Sequence, residues 1–286
     1  MLRIEAQTEG RGASDPAGSS FYLYAFVDAE RKLESLSSIP NAEACADFRL
    51  FRVGTVAALA APTPTADFIG AVGERNLDDP AWVAARCRRH EAVLELAMRD
   101  GAVFPAGFGT LFSSAEVLLD FVGRHERQIA GFLRETADHE EWEVSAFAIL
   151  DGHDLLERTA ASEWPDFLSL SAGARYLRLC RERTALIASA KRLACRAAVS
   201  LLSELQHELR PSNAVLRPPR PRLRVTGNEI NGEQVGSLVL LIRSEQAAAL
   251  RTTLASLNPA CVKVGSPLRL AVSGPWPPYS FRPTLD

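Results

Sequence analysis

The first residues to weigh for chemistry are the five histidines and their acidic neighbours. His90-Glu91 invites comparison with a zinc-protease helix, where two histidines one turn apart hold the metal and the glutamate serves as base. The position one turn on is Leu94, so the metal reading fails and the pair reads as a surface histidine beside a solvated glutamate. Gly107-Phe108-Gly109 looks like a fragment of a phosphate loop, but it lacks the lysine of a P-loop and the third glycine of a dinucleotide fingerprint. It reads as a backbone bend. His125-Glu126 and His139-Glu140-Glu141 fall at helix surfaces or ends, with no serine or cysteine in a strained-turn motif nearby to act as nucleophile. Cys45, Cys87, Cys180, Cys195 and Cys261 are odd in number, widely spaced and form no CxxC pair, which suits small buried thiols in a reducing compartment. The residues therefore predict no catalytic, cofactor or metal site.

The bulk numbers agree with a folded globular chain. With 286 residues, 47% apolar and 23% charged, it has enough material for two cored domains. A formal net charge of -3 gives no long-range field to gather nucleic acid. No apolar run approaches the roughly 20 residues of a spanning helix. The arginines of the region from Ala172 to Arg210 form a solvated charged side, partly paired with Glu182, Glu204 and Glu208.

Several elements must carry these residues. Residues 1–20 read as a flexible extension rich in Gly, Ser, Asp and Pro. Phe21 to Val27 predicts a buried strand, and Phe48 to Val53 a second that Val56 to Ala61 extends until Pro62 and Pro64 stop it. Asp79-Pro80 opens a helix that ends at Gly101, and Ser113 or Ser114 caps another running to about Thr136, with Val117, Leu118, Phe121, Ile129, Phe132 and Leu133 in its stripe. Val103 to Pro105 and Phe108 to Phe112 are extended, and Glu143 to Leu150 closes the first domain as a strand. Two helices over one face of a sheet give a ferredoxin-like α/β domain over 21–150.

A looser connector follows over 151–170, and then one long helix from Ala172 to Arg210 with Leu177, Leu186, Leu193, Ala197, Leu201, Leu205 and Leu209 along one side. Strands at Leu223 to Thr226 and Gly236 to Ile242, joined by an Asn231-Gly232 turn, lead to a helix over Ser244 to Leu257. Strands at Val262 to Val264 and Leu268 to Val272 complete a smaller sheet. Beyond the sheet comes Gly274-Pro275-Trp276-Pro277-Pro278-Tyr279-Ser280-Phe281, whose prolines pre-order its aromatic rings for burial on the chain's own sheet or on a partner. The second domain is thus a long helix plus a small α/β unit over 171–286.

Taken together these segments resemble the gas vesicle protein family GvpF/GvpL from Phe21 to Phe281. The likeness rests on Tyr22-Leu23-Tyr24-Ala25-Phe26, on Val53 to Leu59 with the Pro62-Thr63-Pro64 break, and on the helix from Asp79-Pro80-Ala81-Trp82 through His90-Glu91-Ala92-Val93-Leu94. Phe104-Pro105 through Phe108-Gly109-Thr110-Leu111-Phe112, Glu141 to Val144, Gly173 to Leu177 and the aromatic tail extend it. Where that family commonly carries Met-Arg ahead of Phe-Gly-Thr, this chain has Ala106-Gly107.

The resemblance implies an α+β protein, a modified ferredoxin-like domain followed by a helical hairpin joined to a second small sheet. It implies a cytoplasmic accessory factor, associated with gas vesicles, that binds the hydrophobic shell protein GvpA and other accessory proteins during nucleation and growth. A minor component retained in the vesicle wall is the alternative, and an enzyme or ligand binder on ferredoxin-like sheets a third. No cofactor, nucleic acid or lipid membrane is implied. A shell monomer with a large apolar face aggregates unless covered, so a docking groove is expected near Phe104, Phe108 and Phe112 or at Trp276 and Tyr279. The alternative for each is an ordinary core side chain.

Overall fold

The computed structural model describes residues 18–32, 48–150, 152–217, 232–263 and 266–285. The expected N-terminal extension, except for its last three residues, the strand at Leu223 to Thr226 and the turn up to Asn231 lie outside them. The protein is α+β with antiparallel pairing in its sheets, and it divides into two compact units, residues 1–139 with 276–286 and residues 140–275.

The first unit is built on β1 (Ser19–Asp28), whose apolar run marks a strand buried on both faces. It is flanked by β3 (Val56–Pro64), which in turn pairs with β2 (Arg49–Val53). The segment expected to continue from Val53 into Val56 instead reverses as a hairpin. Gly54 makes the turn at φ 54°, and a Cβ there would lie 2.0 Å from Glu126 Oε1, which accepts the Thr55 N–H at 2.8 Å. Pro62 and Pro64 lie within β3 rather than ending it. Because Thr65 N–H donates to Gly18 O, alternation turns both proline nitrogens away from β1, and β2 pairs only as far as Ala60.

Helix α1 (Gly70–Asp78), which no sequence signal announced, precedes α2 (Pro80–Asp100). Asp79 caps α2 by accepting from Ala81 N, and Gly101 ends it, as expected. Short strands β4 (Phe104–Pro105) and β5 (Leu111–Phe112) pair with β1, and α3 (Ala115–Glu135) follows with Ser114 as its cap. Its stripe holds Leu118, Ile129, Phe132 and Leu133 but leaves Val117 exposed.

The two helices cover opposite faces of the sheet, not one. Tyr22, Tyr24 and Val27 join the α2 core with Val93, Leu94 and Ala97, while Phe21, Leu23 and Phe26 join the α3 core with Leu118, Val122 and Ile129. A β-bulge makes this division possible. Leu23 pairs with Ala60 and Ala25 with Leu59, so Tyr24 is the extra residue that resets the alternation.

The second unit opens with β6 (His139–Ala148), the strand expected to close the first domain. Its alternation turns Trp142, Val144, Ala146 and Ala148 into the second core, in a four-stranded sheet. Alternation reveals a half-buried strand but not which sheet it joins. The expected connector contains α4 (His153–Glu163), whose Leu156 and Ala160 pack with Phe167, Leu179 and Leu186. The expected single helix is two, α5 (Ala172–Arg181) and α6 (Arg183–Leu209), broken at Glu182 with φ -97° and ψ 11°. Neither glycine nor proline marks that break.

Strands β7 (Asn213–Arg217) and β8 (Glu233–Arg243), helix α7 (Ala247–Lys263) and β9 (Leu268–Trp276) complete the unit. Val262 and Lys263 end a helix rather than forming a strand. Facing this sheet, α6 buries Ala190, Ala194, Ala198, Leu202, Leu205 and Leu209. Leu193 of the expected stripe is exposed because alanines four apart make the α6 seam instead, and Leu177 is exposed on α5.

Overpacking this seam is the expected route to instability. Ala194→Leu should lower unfolding stability by about 1–3 kcal/mol, whereas Val199→Leu on the exposed side of α6 should change it by under about 0.5 kcal/mol, as urea denaturation will measure.

Candidate functional site

In the first unit the most unusual chemistry surrounds His90, which is 1% exposed on α2 and so not the surface residue expected. A buried imidazole needs partners for both ring nitrogens. Tyr22 Oη on β1 lies 2.9 Å from Nδ1, and Tyr279 Oη from the C-terminal segment lies 3.0 Å from Nε2. The direction of each bond follows from the ends of the chain. Gly109 N–H donates to Tyr22 Oη at 3.2 Å, so the Tyr22 hydroxyl hydrogen is free to go to Nδ1. Tyr279 donates to Glu91 Oε1 at 3.1 Å, so its oxygen accepts from Nε2–H. His90 is thereby assigned as the neutral Nε2–H tautomer.

Burial dominates the electrostatics. It pulls the His90 imidazole from 6.5 down to about 4, and Arg282 adds to the drop while the backbone of Ala106 opposes it. Burial also raises both tyrosines, with the Glu91 charge second for Tyr279 and the Gly109 N–H working against it at Tyr22. The Glu91 carboxyl is raised by burial, against the pull of the Tyr279 hydroxyl. The two tyrosines are thus biased to keep their protons and the ring to stay neutral, while the Glu91 carboxyl is held above the usual carboxylate range.

The relay needs three local devices. Asp79 and Pro80 set the start of α2, which carries His90 and Glu91 at its middle. Gly109, at φ 80°, bends the loop between β4 and β5 so that its N–H reaches Tyr22, which fits the expected backbone bend at 107–109. Beyond β9 the C-terminal segment returns to this unit. Arg282 Nη1 donates to Pro105 O at 2.5 Å, and Gln128 Nε2 on α3 donates to Thr284 O at 3.1 Å. Tyr279 packs into the α2 core, and Phe281 and Leu285 into the α3 core.

The side chains expected to form a docking groove are placed differently from one another. Phe104 is 2% exposed, wedged against Phe26 and Phe132, so it is a core residue with no face for a partner. Phe108 is half-buried near Tyr22, Phe68 and His90, and Phe112 half-buried against Phe121. Trp276 and Tyr279 are also half-buried. The structure brings Phe108 and Tyr279 together around His90 and leaves Phe112 on the α3 side. His125 lies tilted against Phe121 with centroids 4.4 Å apart, and Glu126 clamps the hairpin turn. Among the described residues no group of three or more His, Cys, Asp or Glu is placed to hold a metal. No described helix is long and apolar enough to cross a membrane.

The chain matches the model of the gas vesicle synthesis protein GvpL/GvpF family over residues 20–283. Two solved structures are similar in fold. The gas vesicle protein GvpF from Anabaena sp. PCC7120 aligns at TM-score 0.60 and 16% identity, covering 93% of this chain and 97% of that one. GvpF from Microcystis aeruginosa aligns at TM-score 0.59 and 14% identity, covering 93% and 99%. No curated protein sequence matches significantly.

Because the folded imidazole titrates near 4 and the unfolded one near 6.5, the unfolded state takes up the proton first as pH falls. The His90 contribution is whole above pH 6.5 and lost between there and pH 4, by up to about 3 kcal/mol. The raised Glu91 carboxyl acts in the opposite sense at the acid end. Urea denaturation from pH 7 to pH 4 should show a shallower acid loss in His90→Gln than in the parent chain.

Proposed function

The chain belongs to the gas vesicle synthesis protein GvpL/GvpF family, and from that premise we propose that it is a non-enzymatic accessory protein of gas vesicle assembly. It binds the hydrophobic shell protein GvpA, and other accessory proteins, while vesicles nucleate and grow. The family match across nearly the whole chain carries this reading. The chemistry around His90 supports it, since Tyr22, His90, Tyr279 and Glu91 are all engaged in holding the chain's own C-terminal segment.

A shell protein with an apolar face needs an apolar counterpart. On α5, Gly173, Tyr176, Leu177 and Cys180 fall at i, i+3, i+4 and i+7 and share one face. Tyr176 is 60% and Leu177 66% exposed, while Leu179 turns inward. This face is our first choice for contact with the shell protein, ahead of the half-buried rings of Phe108, Phe112, Trp276 and Tyr279.

Deleting the gene in a vesicle-forming host should abolish buoyancy and leave shell protein aggregated; normal flotation would refute the assembly role. Tyr176→Ser/Leu177→Ser should cut capture of purified shell protein by about fivefold or more with the urea midpoint unchanged. Undiminished capture would discard the α5 face.

A further inference from the structure

The first unit also holds a pocket of about 260 Å³ that shares the Tyr22 ring with the relay and that the assembly role does not use. Its walls are the rings of Tyr22, Tyr24 and Phe68. Small-molecule sites occupy roughly 300–1,000 Å³, so this one has room for a single side chain or an acid of that size.

Three charged groups line it. Arg86 and Asp67 form an ion pair at 3.1 Å, and the Arg86 guanidinium also lies 5.1 Å from the Trp82 ring centroid, so these two charges are fixed and offset each other. Arg89, one turn further along α2, lines the pocket half-buried and has no ion-pair or hydrogen-bond partner among the described residues. A guanidinium carries five donors in a planar fork matched to a carboxylate. The net charge facing the pocket is therefore positive, and it resides on Arg89.

The remaining wall is the end of β3. Pro62 and Pro64 turn their backbone away from β1 and offer carbonyls without N–H groups, so this edge cannot accept an added strand but can accept single N–H donors. We infer that the pocket binds a carboxylate on a short apolar stem, with Arg89 as its ion partner and the three rings against the stem. The inference stands on the pocket alone and is independent of the assembly role.

Amide NMR titration of the full chain with N-acetyl-glutamate methylamide tests it. Millimolar binding with shifts at Phe68, Arg86 and Arg89 is expected, at least about tenfold weaker for the N-acetyl-glutamine analogue and for Arg89→Gln. Arg88→Gln, at an exposed neighbouring position, should bind as the parent does. Propionate separates the sources: weaker binding than the glutamate probe identifies a protein side chain whose flanking amides use the proline carbonyls, and equal binding identifies a free acid. Equal binding of the glutamine analogue, undiminished binding by Arg89→Gln, an equal loss in Arg88→Gln, or shifts elsewhere would overturn the proposal.

Discussion

An imidazole placed in an apolar interior is tolerable only when both ring nitrogens have partners and neither carries a net charge. His90 meets that condition through two tyrosine hydroxyls supplied by residues 68 positions before it and 189 after it. The chain of donors runs one way, from the Gly109 amide through Tyr22, His90 and Tyr279 to the Glu91 carboxylate. Removing any member strands another polar group in a low-dielectric setting, a cost of about 1–3 kcal/mol each. The relay therefore ties β1, α2, the bend at Gly109 and the C-terminal segment into one arrangement.

That segment has work to do beyond the hydrogen bonds. The sheet of the first unit ends at the two-residue strands β4 and β5, which with Thr110 and Ala106 bond β1 from Phe21 to Phe26 and turn their outer side away from it. Arg282 bonds to β4, Tyr279 enters the core beneath the sheet, and Phe281 with Leu285 enters the core above it. The tail so bonds to the end of that sheet, and covering a strand edge is one of the ways proteins protect it from pairing with other chains. A protein proposed to handle an aggregation-prone partner gains from a covered edge here.

Much of this was legible in the residues. Asp79-Pro80, Gly101 and Ser114 marked helix ends because caps act locally, and the aromatic tail was marked for burial because prolines lower the entropic cost of fixing it. The misses share a physical cause, since they depend on partners distant in sequence. His90 looked solvated because the two hydroxyls that bury it are far away along the chain. The bulge at Tyr24 is invisible without its partner strand, and β6 alternates correctly but joins the other sheet. The alanine seam of α6 was passed over in favour of leucines, although spacing of four from Ala190 to Ala198 was a usable sign. Arg89 stands on α2 with Arg86 and Arg88, and nothing in the local sequence separates it from them; the pocket does.

The central claim is that His90 is a neutral, doubly bonded link between the tail and the body of the first unit. Imidazole nitrogen NMR of the folded chain tests it most directly. The account predicts the Nε2–H tautomer through neutral pH, with titration near pH 4. A His90 ring that titrates near 6.5, or that interconverts freely between tautomers, would contradict it.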